Sequence, residues 1–389
     1  MKYQHPELAK IEECTGCGSC AAVCPVGCIQ MKSDNYGFLF PYCNTDQCVG
    51  CKKCEAHCPI LNEIETEHDF QDAFAAYSED VLIREKGSSG GLFFELADTV
   101  LAKKGIVYGA VFDDNYKVVH IGVEDRQELE KMSGAKYAQS DVNTCFISIR
   151  DQLREGKEVL FSGCPCQVAG LISFLGEKPY NLSTIDFVCH GVPSPLAWQK
   201  YVQYRAEKDN NGILPNYINL RSKASGWSKY RYSNVYQYAN TEYKSESSQD
   251  LFMKLFTGDA ILRQSCADCI FKGYDRASDL TLGDFWGIWD ILPEMDDDKG
   301  TSLLLIHSKK GHEMIQAISD RLIMRRMSLR DTSNYNPSML YSVKPHPKRE
   351  QILRLFCSGE IDKAKKIFDS AKSVRTNKLI RKFLKAIID

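Results

Sequence analysis

Eight cysteines between Cys14 and Cys58 fall into two arrays of the same spacing. The first, CTGCGSCAAVCP, supplies Cys14, Cys17, Cys20 and Cys24. The second, CVGCKKCEAHCP, supplies Cys48, Cys51, Cys54 and Cys58. Thiolates two residues apart in a tight turn converge on one iron–sulfide cuboid. A fourth cysteine, three residues further on, is carried away by the following turn and reaches the neighbouring cuboid. The spacing therefore predicts two 4Fe–4S cubanes. One is held by Cys14, Cys17, Cys20 and Cys58, the other by Cys48, Cys51, Cys54 and Cys24. Zinc sites use paired ligands rather than tandem triplets followed by Cys-Pro. Disulfides need an oxidising compartment, and MKYQHPELAK has no apolar leader region. Cys28 and Cys43 lie outside both arrays and read as free, partly buried thiols.

A second set of cysteines is more scattered: Cys145, Cys164, Cys166, Cys189, Cys266, Cys269 and Cys357. The turns CPC, CHG and CADC hold five of them. One cysteine of CPC with Cys189, Cys266 and Cys269 would make a four-thiolate site. Cys166 is favoured over Cys164 as the residue nearer a helix start. Spacing leaves a third cubane, a zinc site and redox-active thiols open.

The elements that must position these groups follow from periodicity. Residues 1–62 form the cluster module, where metal centres replace much of the core so small a unit lacks. The module matches the spacing of bacterial two-cluster ferredoxins. Residues 1–70 carry ten acidic against five basic side chains, so the module's face is acidic. The polar segment Asn62 to Gln71 reads as a linker. From residue 72, DAFAAYS reads as a strand, LFFELADTVLAKK as a helix, and GIVYGAVF and KVVHIGV as strands. A further helix is expected from Cys145. EVLFSG, CPCQ and VAGLISFL form a strand, turn and helix, and LSTIDFV, CHGVPSP and LAWQKYVQYRAE repeat the sequence of elements. Two such units in succession predict parallel strands with their loops on one sheet edge. The tyrosine-rich stretch 216–244 reads as antiparallel strands. The fold class is thus α+β / α/β: a ferredoxin-like two-cluster module, a mixed α/β domain over 72–330, and a basic helical tail over 331–389.

Composition sets outer limits. The 389 residues are 43% hydrophobic and 26% charged with net charge −2, so bulk charge predicts no nucleic-acid partner. No apolar run approaches a membrane span. Seventeen cysteines without a leader point to a reducing cytoplasm. In the tail, Leu379, Ile380, Phe383, Leu384, Ile387 and Ile388 fall at helical spacing beside Arg381, Lys382 and Lys385. Such a helix suits docking on the protein's own body, or peripheral contact with an anionic membrane surface.

KGSSGG, AKYAQSD, SGCPCQVAGL, DFVCHGVPSP, CADCIF and SDLTLGDFWG occur in this order. Together they resemble the beta-subunit family of coenzyme F420 hydrogenases and dehydrogenases, here preceded by a two-cluster ferredoxin module. The resemblance covers most of residues 10–300. It implies FAD beside a third 4Fe–4S cluster held by Cys166, Cys189, Cys266 and Cys269. Cys164 departs from the residue often seen two positions before the first ligand. The resemblance makes Ser88, Ser89, Gly90 and Gly91 candidate FAD contacts, where free backbone N–H groups at a helix start suit a phosphate. Lys136 and Tyr137 are second candidates. Arg221, Lys223 and Trp227 in RSKASGW offer two cations and an aromatic to an anionic ligand. His190 reads as a structural histidine beside a cluster, Asp284 as a turn residue or a ligand-loop orienter, and Trp286 and Trp289 as core aromatics.

The expected activity is that of an FAD-dependent iron–sulfur oxidoreductase. Electrons would pass from a low-potential donor, such as a soluble ferredoxin, through the clusters to FAD and on to an unidentified acceptor. Similar proteins with a fused ferredoxin module are often associated with bacterial surface-polysaccharide synthesis. The alternative is a non-catalytic electron-transfer subunit of a larger oxidoreductase complex.

Overall fold

The computed structural model describes residues 6–64, 66, 71–142 and 144–370. In the N-terminal module a hairpin of β1 (Ile29–Ser33) and β2 (Leu39–Cys43) is flanked by two single-turn helices, Ser19–Ala22 and Lys53–Ala56. Each helix follows a residue in the left-handed region, Gly18 (φ 86°) and Lys52 (φ 57°). These bends fold each cysteine triplet back on itself. Within the linker, residue 65 and residues 67–70 lie outside the described residues.

The body is built on β3 (Asp72–Ser78), β4 (Ile106–Phe112), β5 (Val118–Val123), β6 (Val159–Ser162) and β7 (Leu182–Phe187), joined later by β11 (Leu280–Asp284), β12 (Ser302–Ile306) and β13 (Leu322–Met327). Between them run β8 (Tyr217–Ser222), β9 (Ser233–Gln237) and β10 (Glu242–Glu246) as a separate antiparallel meander. The large sheet has the order β13-β3-β12-β11-β7-β6-β4-β5. Its centre, β4, β6, β7 and β11, is parallel, and its flanks are antiparallel. β12 (SLLLI) is buried along its whole length, as a central strand covered on both faces must be. The edge strand β13 carries Arg325 and Arg326, charges that discourage pairing with another chain.

Two features differ from the sequence expectation. CPCQ is not a turn: Cys164 is the N-cap and Pro165–Leu175 is helical from its first residue. Pro165 sits where a missing N–H costs nothing, and Gln167 Oε1 accepts from Cys164 N at 3.0 Å, which closes the cap. β13 was not foreseen, because LIMRRM alternates too briefly to stand out from the helix before it.

A large aromatic core joins Trp198 and Tyr201 of helix Pro195–Asn210 to Tyr236 of β9, Phe252, and Phe356 of helix Arg349–Cys357. Ile361, Ala364 and Phe368 extend it, so residues 349–368 pack on the body. The amphipathic stripe Leu379–Ile388 lies outside the described residues. Among the described residues no helix is long and apolar enough to cross a membrane.

Candidate metal and cofactor sites

The two N-terminal arrays face two separate cavities, and the fourth cysteines are exchanged between them. Cys14, Cys17, Cys20 and Cys58 line one, with Leu8, Met31, Pro41 and Ile60. Cys24, Cys48, Cys51 and Cys54 line the other, with Pro25, Val26 and Val49. Four sulfurs around an apolar cavity fit a 4Fe–4S cubane. Burial pushes the Cys17 thiol up to about 12 and raises Cys14 and Cys20. Such thiols become ligands only with a bound cation to stabilise the thiolate. The second cavity is the outer one: Cys51 is exposed, and Val26 and Val49 are roughly half exposed around it.

The third set gathers at the carboxyl ends of neighbouring strands. β6 leads to Cys164 and Cys166, and β7 to Cys189. Cys266 lies in the 3-10 turn Gln264–Asp268, with Cys269 just beyond. Burial raises the thiols of Cys266 and Cys269, and the charges of Cys189 and Cys166 add to it; a Cβ on Gly191, two residues past Cys189, would lie 3.6 Å from Cys266 Sγ. Interaction with Cys166 and Cys189, together with burial, holds the Cys164 thiol well above its ordinary value. The Cys164 hydrogen bond pulls the Cys189 thiol down to about 6, helped by Lys272, His190 and Arg276 and opposed by burial. Backbone and side-chain hydrogen bonds fix the loops: Val192 N donates to Cys266 Sγ at 3.5 Å, Cys269 N to Ser342 Oγ at 2.9 Å, and Lys272 Nζ to Ser338 O at 2.8 Å. This set has the thiols a cubane needs, with Cys164 and Cys166 both beside Cys189. Cys145 and Cys357 are elsewhere, bonded to His120 O and Ser194 Oγ.

The first and third sets are adjacent. Gly170, one helical turn beyond Cys166, packs so closely on Cys17 that a Cβ there would lie 2.7 Å from Cys17 Cβ and 3.0 Å from its Sγ. Gly170→Val should displace Cys17 and cost the first cavity its cluster, a loss of about four irons per chain with the other clusters retained. An unchanged iron count would refute this account of the contact. Arg263, only 2% exposed, lies between the same two sets. Its Nε donates to Cys14 O at 2.8 Å, its Nη1 to Gln139 Oε1 at 2.8 Å and its Nη2 to Leu39 O at 2.9 Å. Its charge acts on Cys14, Cys266 and Cys166. No sequence signal singles out Arg263; it stands in ILRQSC as an ordinary cation.

Beyond the third set lies a cationic, aromatic site. His190, next to Cys189, is held by Asp259 at 2.8 Å and Ser338 Oγ at 3.0 Å, which fits the structural reading. Its ring contacts Phe256 at 5.1 Å, and Phe256 contacts Tyr137 at 4.9 Å. Tyr137 Oη accepts from Arg221 at 3.3 Å, and Arg221 donates to Asp284 at 2.7 Å and to Ser88 O at 3.3 Å. Arg221 also lies over Tyr232 and Trp286, at 3.9 and 4.9 Å from the ring centroids. Its Nε is buried with no partner among the described residues. Lys223 donates to Arg84 O and Ser89 O, each at 2.5 Å, and Lys136 to Ser133 O at 2.6 Å. Burial brings both lysines down to about 7; Arg221 repels Lys223 further while Asp284 opposes. Trp227 is buried beneath, donating to Asp284 at 3.3 Å.

The KGSSGG loop adjoins this site, and parts of it serve the fold. Ser89 Oγ donates to Thr301 O at 2.9 Å and Gly90 N to Ser302 Oγ at 2.9 Å. A Cβ on Gly90 would meet Ala76 O at 2.5 Å, and Gly91 turns into the helix at φ 87°. The loop's carbonyls thus point at Arg221 and Lys223. Three buried cations, one of them with an orphaned Nε, thus gather among aromatic rings, a set that offers positive charge to an anionic group. Tyr232 and Arg84 belong to the surroundings and were not foreseen, since both lie away from the motifs.

Comparison with known proteins places the chain in a family. The model for the N-terminal part of the coenzyme F420 hydrogenase/dehydrogenase beta subunit matches residues 73–146, and that for its C-terminal part matches 156–330. Together they take in more than half of the chain. A 4Fe–4S dicluster domain matches residues 13–61. Among solved structures, a chain from the xenon-derivatised F420-reducing NiFe hydrogenase complex of Methanosarcina barkeri is 18% identical, with a TM-score of 0.45. That match covers 78% of this chain and 94% of the other. No curated protein matches.

Proposed function

Because the chain belongs to the coenzyme F420 hydrogenase/dehydrogenase beta-subunit family, with a 4Fe–4S dicluster domain at its N-terminal end, we propose that it is an electron-transfer subunit of a larger oxidoreductase assembly. Twelve cysteines would hold three cubanes: Cys14, Cys17, Cys20 and Cys58; Cys24, Cys48, Cys51 and Cys54; and Cys166, Cys189, Cys266 and Cys269. Ser88, Ser89, Lys136, Tyr137, Arg221 and Lys223 would hold FAD, while Gly90 and Gly91, buried with the Gly90 N–H given to Ser302, shape the loop rather than touch the cofactor. When bound, the cubanes supply one-electron carriers and the flavin joins one-electron to two-electron chemistry. The observation that supports this most is contiguity. Cys20 packs on the small core that holds Cys54, the helix that carries Cys166 packs on Cys17 through Gly170, and Cys189 leads through His190 and Phe256 to Tyr137. The chain's own residues then set the order. Cys51 and its apolar rim offer the outermost set to a donor such as a soluble ferredoxin. Arg221 and the two lysines bind and orient negative charge at the other end, and the aromatic wall keeps water from it. All 17 cysteines are free thiols, which suits a reducing cytoplasm.

A second reading, an enzyme that turns over its own acceptor, is favoured by the Arg221 site, where Nε is buried with no partner among the described residues. A link to surface-polysaccharide metabolism rests on sequence resemblance alone, so sugars belong among the acceptors tried. Anaerobic purification tests both readings. About twelve irons and one flavin per chain are expected, with bleaching of the flavin by reduced ferredoxin. About eight irons and no flavin would overturn the third cubane and the flavin together. Flavin without turnover of carbonyl, alkene or sugar acceptors supports the subunit reading; turnover supports the enzyme.

A further inference from the structure

The second N-terminal cavity holds one thiol more than the first. Four cysteines line the first, but Cys28 joins Cys24, Cys48, Cys51 and Cys54 around the second. Cys28 Sγ is 3.4 Å from Cys24 Sγ, and the sulfurs of Cys28, Cys43 and Cys48 all lie within 4.8 Å of one another. Cys28 is 3% exposed, so it faces the cavity wall and not solvent. The backbone holds it there. Gly27 takes φ 64° with its N–H on Cys24 O at 3.2 Å, and this turn brings residue 28 back beside residue 24. Asn44 N donates to Cys28 O at 2.8 Å, at the mouth of the β1–β2 hairpin. The two sulfurs therefore stand 3.4 Å apart at one edge of the same cavity, a separation within the sweep of a cysteine side chain.

We propose that Cys28 is a reserve ligand of the second cubane, able to replace Cys24. This rests on the reading of that cavity as a cubane site. In the exchange, the iron–sulfur bond to Cys24 breaks and one to Cys28 forms. The proton of the Cys28 thiol passes to the departing Cys24 sulfur, and no oxidation state changes. The thiol of Cys28 donates to Cys24 while Cys24 is bound, a hydrogen bond of the kind that tunes a ligand's basicity. The second cubane is the exposed one, and a spare thiolate protects it when Cys24 is oxidised or blocked.

The test is iron content and the EPR spectrum of the dithionite-reduced full chain. Cys24→Ala should keep the wild-type iron count and spectrum, whereas Cys24→Ala/Cys28→Ala should lose about four irons. Cys58→Ala, whose cavity has no fifth thiol, should lose about four irons by the single change. Cys28→Ala alone should keep its iron. Cys24→Ser preserves cavity volume if the alanine variant folds poorly. It should show an all-thiolate spectrum that changes on adding Cys28→Ala. Loss of iron from Cys24→Ala equal to that of the double variant would overturn the proposal, as would identical spectra for Cys24→Ser with and without Cys28. If the wild-type chain itself lacks eight N-terminal irons, the cubane reading fails before the reserve ligand is tested.

Discussion

Arg263→Met should lower the reduction potentials of the first and third clusters together and loosen the seat of the N-terminal module. The guanidinium is buried, and among the described residues it pairs with no carboxylate. Its neighbours are the carbonyls of Cys14 and Leu39, Gln139, the Phe40 ring at 4.1 Å, and the sulfurs of Cys14, Cys166 and Cys266. Burial works against its charge, yet arginine stays protonated. A cubane with four thiolates is an anion, and reduction adds one more negative charge. A fixed cation between two such centres favours the reduced form of each; its removal shifts both potentials down. The cost to folding is on the order of 3 kcal/mol, that of leaving buried partners uncompensated. Arg263→Lys separates the two effects. It keeps the charge but loses the three-way fork, so potentials should stay near wild type while the module's seat weakens. Potentiometric EPR titration reads the first effect and thermal unfolding the second. Equal potentials in the wild type and the methionine variant would sink the electrostatic role.

The cysteine arrays were the most legible part of the chain, because cluster ligation is nearly local. Cys14 to Cys58 is one short module, and the turn that follows each triplet decides where the fourth thiol goes. The parallel centre of the sheet was legible too. A strand, a turn and a helix twice over leave few ways to connect β6, β7 and the helices between them. The third set was legible as a group of turn cysteines, Cys189, Cys266 and Cys269 with one of CPC. Spacing could not choose between Cys164 and Cys166, because Cys266 and Cys269 come in through a 3-10 turn some 75 residues on that no local rule aims. CPCQ was misread because proline after cysteine suggests a turn, whereas proline at the first helical position starts a helix. Arg263 and the Tyr232–Trp286 wall were invisible for the same physical reason. Their roles come from partners hundreds of residues or several strands away, and residue type alone does not announce a partner.

Flavin dinucleotide, or another anion offered to the Arg221 site, should bind more weakly as pH rises through about 7. Lys136 and Lys223 are both brought down to about 7 by burial, and among the described residues each ammonium donates only to backbone carbonyls. In the folded chain without ligand they release protons near neutrality; in the unfolded chain they hold them to about 10.4. Between these limits the unfolded state binds more protons, so stability should rise with pH from about 7 towards 10. The full cost of carrying two buried cations is therefore met below 7. An anion reverses the balance, because it binds the protonated pair and raises their pKa values. Binding above 7 must then take up protons, and affinity should fall by up to tenfold per pH unit for each lysine engaged. Calorimetry of the apo-flavin chain in two buffers of different ionisation heat, from pH 6 to 9, measures the uptake. Arg221→Met should abolish binding at every pH. It takes from Asp284 its 2.7 Å partner and leaves only the longer bond from Trp227, at about 3 kcal/mol in stability. Lys223→Gln should instead leave the fold intact, weaken binding below pH 7 and flatten the profile above it. An affinity constant from pH 6 to 9 in the wild-type chain would show that these lysines do not hold the ligand's charge.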